Sequence, residues 1–233
     1  MSESLTLDRR AERLRGAEND VVSARTFNLV MILTILYGLV LNVAIVYYGA
    51  TPLLQWLANA TNPKGAMIGL FVGYFVCSLA GILLSAKSSE PLVSFLGFNL
   101  VAIPFGVLLC LIIPFFDGQI VLRAIGLTAC VTILIAAIAV ANPNFFLSLG
   151  RALFITILVG LIAEVVATFA FHYQGTAFDW IFVIAFSGYI GFDVARSQQY
   201  SKTVDNAVDC AVDLYMDIIN LFVRLLSILG KRK

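Results

Sequence analysis

Seven long apolar runs separated by short polar breaks organise this chain, at 27–50, 66–86, 92–115, 119–141, 148–171, 177–197 and 206–229. A bilayer's hydrocarbon core is about 30 Å thick, and a helix crosses it in about 20 residues, so each run has the length of a transmembrane helix. The runs stay apolar without the period-two alternation of a membrane β-barrel strand, which removes that architecture. The breaks carry helix-stopping residues: NPKG at 62–65, KSSEP at 87–91, DGQ at 117–119, NPN at 142–144 and YQGT at 173–176. Connections this short make successive helices antiparallel neighbours. The prediction is an all-α integral membrane protein, a seven-transmembrane-helix bundle over 27–230 preceded by a polar tail at 1–26.

Composition agrees with the pattern. The chain has 233 residues, 61% hydrophobic and 12% charged, whereas a soluble domain is about a quarter charged. Net charge is +1, and no basic patch interleaved with aromatics points to nucleic acid. Cys77, Cys110, Cys130 and Cys210 each lie in an apolar run without C-x-x-C spacing, so they are expected to be packing residues and neither disulfides nor zinc ligands. The tail lacks the early apolar core of a secretory signal. Arg9, Arg10, Arg13, Arg15 and Arg25 precede the first run, and Lys87, Arg151, Arg196 and Lys202 lie beside the loops on the same side. The positive-inside rule makes that side, with the N-terminus, cytoplasmic. Lys64, Arg123 and His172 fall opposite. Gly65, Gly69 and Gly73 recur every fourth residue, a small-residue row expected to pack on another helix, and Pro104 is expected to kink the third span.

The last run breaks the apolar rule. VDNAVDCAVDLYMDIINLFVRLL carries Asp205, Asp209, Asp213 and Asp217 at intervals of four, then Arg224. At about 100° per residue, Asp213 lies about 40° from Asp217, Asn206 and Arg224 about 20°, and Asn220 about 60°. A helix with one polar face cannot meet lipid all round, so it is expected to be central, with that face turned to other helices or to a wet cavity. Asp205 and Asp209, near its start, are expected to reach cytoplasmic water and complement the helix N-terminus. Asp217, three turns in, must find a partner or a proton, and Arg224 with Asn220 between them offers one along the same face.

The sixth run supplies a second acid. It stays almost free of charge for sixteen residues from 177 and then presents Asp193 before Arg196. If the turn between helices six and seven centres near Asp205, Asp193 and Asp217 stand level. A turn centred at Ser201 or Lys202 offsets them by several ångströms. Two carboxyl groups sharing one site cannot both ionise cheaply, so one holds a proton and the site becomes pH-responsive.

The segments GYIGFDVARSQQY, AVDLYMDIINLFVRLLSILG and LTACVTILIAAIAVANPNFFLSLGRAL resemble the transmembrane Bax-inhibitor-motif family, in the way a prokaryotic member would. That resemblance implies a central seventh helix wrapped by the others and a pH-sensitive calcium leak. Its paired aspartates match Asp193 and Asp217 here, which would also form a weak Ca²⁺ site with water and backbone completing the ligands. The family's second-helix arginine, which latches to the pair, has no counterpart in the second run, and Arg196 or Arg224 is the candidate replacement. No tightly bound cofactor is implied, only Ca²⁺ and protons as the species moved, with the lipid bilayer and a membrane-protein partner as surroundings.

Two rivals stand beside this reading. Paired aspartates on adjacent spans also build intramembrane aspartyl proteases of the presenilin kind, but those place G-x-G-D on the seventh helix, whereas Gly191-Phe192-Asp193 is on the sixth. The other rival is a non-conducting scaffold that modulates a protease complex or a cell-death partner. Glu164, deep in the fifth span, is expected to line the same cavity or to pair within the bundle, and Asp213, Asn220, Arg196 and Arg224 to support the pair. Asp179 or Thr176 is expected to cap the sixth helix at the interface, and His172 to be interfacial. Asn42 and Asn99 are expected to bond between helices. A bacterial inner membrane is the expected location, with the endoplasmic reticulum next.

Overall fold

The computed structural model describes residues 21–173 and 175–231. The tail arginines Arg9, Arg10, Arg13 and Arg15 lie outside the described residues, as do Arg232 and Lys233. Seven long helices run in chain order among the described residues: α1 (Ala24–Ala58), α2 (Pro63–Lys87), α3 (Pro91–Cys110) with a 3-10 turn at Ile113–Phe115, α4 (Gly118–Ala141), α5 (Pro143–Phe171), α6 (Ala177–Ser197) and α7 (Val204–Gly230). This is the all-α membrane architecture the pattern predicts.

The break signals act as helix starts. Pro63, Pro91 and Pro143 each occupy the first helical turn, where the missing N–H costs nothing. Ser23, Asn62 and Asp117 accept backbone N–H bonds from Thr26, Gly65 and Gln119, the expected N-cap chemistry. α5 ends on His172, which takes a left-handed conformation with φ of 49°. Three boundaries differ from the sequence reading. α1 continues past 50 to Ala58 with Pro52 inside it, giving a helix about 52 Å long at 1.5 Å per residue. α3 stops at Cys110 before the 3-10 turn, and α5 begins at Pro143 because the proline nucleates it.

Among the described residues six helices, α1 to α6, are long and apolar enough to cross a membrane, the third counted through Phe115. α7 is the exception among the seven expected spans, since its acids lower its apolarity. Its surroundings differ too: no residue from 204 to 230 is exposed, whereas the most apolar stretch of α5 has none buried. A polar-striped helix of this kind is enclosed by protein, as its pattern requires.

The chain forms two compact units, one of the described residues up to Phe115 with Tyr200–Val212, the other of Phe116–Gln199 with Asp213–Lys233. In the first, α3 packs on both α1 and α2, which barely touch each other. Tyr37 on α1 donates to Asn99 Oδ1 on α3 at 2.8 Å, as expected for Asn99, and Asn42 packs buried against Gly106. The close approach of α2 to α3 is at Gly81 and Gly97, where a methyl on either would press on the other's carbonyl oxygen. The expected row at Gly65, Gly69 and Gly73 is not a contact: Gly69 and Gly73 have nothing within 4 Å, and Gly65 meets only its own cap, Asn62. Small-xxx-small spacing permits contact without saying which row finds a neighbour.

In the second unit α6 packs on both α4 and α5. Its contact with α5 is built from glycines facing large side chains: Gly150 on Phe192, Gly160 on Phe182, Gly188 on Leu153 and Gly191 on Phe146. Of the cysteines, Cys110 and Cys210 are buried, Cys77 is half-buried and Cys130 is exposed, so the expectation of packing fails for Cys130, which faces out of α4.

Candidate functional site

The acids of α7 find partners from neighbouring helices in both units. In the first, Asp205 accepts a hydrogen bond from Ser94 Oγ at 2.6 Å and Asp209 one from Ser85 Oγ. Both carboxylates are buried, at 8% and 5% exposure, so the expectation that they reach cytoplasmic water is wrong. The last turn of α2 and the first turn of α3 each bring one hydroxyl donor, Ser85 and Ser94, to the first turns of α7, and donors replace water. The helix start is capped by Thr203 Oγ1, which accepts from the Asn206 N–H at 3.1 Å, and Lys202 Nζ lies 4.5 Å from the Phe27 ring centre.

The second unit holds the acid pair. Asp193 is buried near the C-terminal end of α6, a helix that Gly188 and Gly191 bring close against α5 on another face. Asp217 is buried on α7, and the two carboxyl groups lie within hydrogen-bonding reach of each other. The connection between α6 and α7 runs from 198 to 203, so the turn centres near Ser201 and not near Asp205, and the two acids meet despite their unequal counts from it. Asp217 Oδ2 is buried with no donor reaching it. Two ionised carboxylates have no hydrogen to offer one another, and a single shared proton supplies one.

Arg196, one turn beyond Asp193, extends one guanidinium nitrogen, Nη2, to Asp193 Oδ1 at 2.9 Å and also to Asp213 Oδ2 on α7. The group backs onto the Phe192 ring at 5.3 Å. Thus Asp193, Asp213, Asp217 and Arg196 form one cluster of three acids and one fixed cation. Tyr189, one turn before Asp193, stands within the electrostatic reach of Asp193, Asp217 and Arg196. Sequence reading missed it, though its i−4 spacing from Asp193 was a usable signal.

Arg224 is not the partner of Asp217. It forms a two-pronged pair with Glu164 on α5, at 2.5 and 2.8 Å, and reaches Asp179 Oδ1 on α6 at 3.2 Å. Its guanidinium lies 4.1 Å from the Phe182 ring centre. Asp179 Oδ2 accepts from Ser227 Oγ at 2.9 Å and Lys231 Nζ at 3.3 Å. Asp179 is therefore a buried junction and not an interfacial cap, and Thr176, at the cap position, makes no side-chain cap bond. Glu164 belongs to this second cluster. Asn220 joins neither, since its amide donates to Met216 O on its own helix. The reason is reach: α5 and α6 bring carboxylates to Arg224, while the preceding turn of α7 offers Asn220 the second lone pair of the Met216 carbonyl.

Among the described residues no group of three or more His, Cys, Asp or Glu side chains is arranged to hold a metal ion. The Asp193–Asp217 pair offers hard oxygen donors suited to Ca²⁺, but Arg196 already lies on it as a cation.

The fold and this cluster define a helical membrane protein with an acid pair buried in its interior. A family model described as "Inhibitor of apoptosis-promoting Bax1" matches residues 19–233, and the chain belongs to that family. A Vibrio cholerae "Uncharacterized membrane protein" is 32% identical over 120 residues, 49% of this chain and 51% of the relative. "Bax inhibitor 1" of Schizosaccharomyces pombe is 30% identical over 121 residues, covering 51% of this chain and 45% of its own. A vaccinia virus "Golgi anti-apoptotic protein" is 30% identical over 122 residues, with 51% and 50% covered. The chain spans about half the length of the curated relatives it matches. No solved structure matches it significantly.

Proposed function

We propose that this protein is a pH-sensitive calcium leak, in which the Asp193–Asp217 pair between α6 and α7 is the sensor and the narrowest part of the path. The observation that carries this reading is the buried carboxyl pair with an orphaned oxygen on Asp217. A shared proton holds the two groups together. When it leaves, two carboxylates repel and become ligands for a hard cation, so protons and Ca²⁺ compete for the same oxygens. Arg196 takes the role of the family's arginine latch, lying on Asp193 and Asp213 until a cation displaces it. Two carboxylates give weak binding, and weak binding lets an ion leave. The protein has no catalytic role in this reading.

The bacterial relatives support a bacterial inner membrane. The cationic ends Arg25, Lys87, Arg196 and Lys202 support a cytoplasmic N-terminus. Lys231, on the opposite side, is neutralised by Asp179, which weakens its pull on orientation. The test is Ca²⁺ uptake into proteoliposomes followed with an enclosed dye from mildly acidic to mildly alkaline pH. Uptake by the native chain rises with pH, while Asp193→Asn and Asp217→Asn lose that dependence. If all three behave alike, the leak reading is wrong.

A second reading, a non-conducting scaffold that acts on a membrane partner, is favoured by the relatives named for inhibition of cell death. It requires that Asp217→Asn leave partner binding intact.

A further inference from the structure

We infer that Arg224 is a positioning residue that makes its end of the α6–α7 contact a hinge, so that the two helices part at the Arg196 end. This inference rests on the leak reading. α6 and α7 are joined on both sides of the acid pair, and the two joints differ in build. On one side a single nitrogen of Arg196 serves both Asp193 and Asp213, and the Arg196 and Asp213 side chains are 31% and 35% exposed. On the other, Arg224 is 19% exposed, grips Glu164 with both prongs and Asp179 with one, and is backed by Phe182. Ser227 on α7 and Lys231 just beyond its end add two bonds to the same Asp179. That joint ties three helices, α5, α6 and α7, and its two central groups, Arg224 and Asp179, are 19% and 6% exposed, with Glu164 at 28%.

Arg224 lies on the same face of α7 as Asp217, about 10 Å further along the axis. Repulsion between deprotonated carboxylates acts between these joints, and the weaker one yields. The charged and titratable groups facing the pair are Asp213, Arg196 and Tyr189; those facing Arg224 are Glu164, Asp179 and Lys231. Cutting the stronger joint frees both ends, and the helices then separate without help from pH.

The test uses the full chain in proteoliposomes, with paired spin labels bridging α6 and α7 near Arg196 and, separately, near Asp179, alongside Ca²⁺ uptake. In the native chain the label distance near Arg196 grows as pH rises and the distance near Asp179 stays fixed. In Arg224→Met the distance near Asp179 broadens at every pH, and uptake loses most of its pH dependence by rising at the acidic end. Glu164→Gln, which keeps the guanidinium, shows the same change in smaller degree and decides the matter if Arg224→Met does not yield a monodisperse protein. Arg224→Lys, with charge but no fork, restores only part. Fixed distances near Asp179 and a native pH profile in Glu164→Gln or Arg224→Met overturn the hinge. The label distances report on the hinge even where Asp217→Asn shows that the pair does not control uptake.

Discussion

Replacing Gly81 and Gly69 by alanine, one at a time, separates packing from helix propensity. Both glycines lie inside α2, so both substitutions gain about 1 kcal/mol from alanine's helix preference. Their surroundings are opposite. A methyl on Gly81 would stand 2.5 Å from Gly97 O and 2.9 Å from Leu100 Cβ, while one on Gly69 meets nothing within 4 Å. To regain an ordinary 3.4 Å contact, α3 must retreat by about 0.9 Å, the difference of those distances. A gap of that size forfeits a quarter to a half of each atom-pair attraction of about 0.1–0.2 kcal/mol, and overpacking of this kind costs about 1–3 kcal/mol in total. The propensity gain is common to both variants and cancels in the comparison, so Gly81→Ala is expected to be less stable than Gly69→Ala by about 1–3 kcal/mol. For a chain of this length that corresponds to melting temperatures roughly 2–12 °C apart. Thermal unfolding in one detergent, monitored by helix signal and by dispersity, measures it. Equal melting of the two variants, or a higher value for Gly81→Ala, refutes the Gly81–Gly97 crossing.

Ser94→Ala removes a hydroxyl donor from buried Asp205 and is expected to cost about 1–3 kcal/mol, with Ser94→Thr retaining most of the stability; chemical unfolding in detergent reads the difference. Asp179→Leu takes a carboxylate from Arg224, Ser227 and Lys231 together and is expected to destabilise by about 3–5 kcal/mol, as breaking a buried pair does, whereas Asp117→Ala loses one cap bond and costs about 1 kcal/mol. Tyr37→Phe deletes one interhelical bond to Asn99 and is expected to lower stability by about 0.5–1.5 kcal/mol without altering the pH profile of uptake.

The apolar runs announced six of the helices, because a lipid-facing helix must be apolar along its whole length, and the seventh was legible from its polar stripe. The Asp193–Asp217 pairing was readable as one of two registers: a turn at Asp205 brings the acids level, whereas the connection at 198–203 centres near Ser201, and the pair forms in spite of that offset. Arg196 on Asp193 was among the expectations, but the partners of Arg224 were not readable. Arg224 shares a face of α7 with Asp217, yet a side chain as long as arginine's reaches whichever carboxylate another helix presents, and α5 and α6 present Glu164 and Asp179. Asp205 and Asp209 were misread for a related reason: position near a helix start suggests water, but Ser85 and Ser94 come from α2 and α3, which are remote in sequence.

What the sequence determined by itself is whatever depends on one helix at a time: span lengths, proline starts, the polar stripe of α7 and the family. Which glycine row meets a neighbour, which acids lie under serines, and which carboxylate each arginine holds were decided only by tertiary structure. Those are choices among chemically equivalent partners, and the distance between helices, which no single segment encodes, makes them.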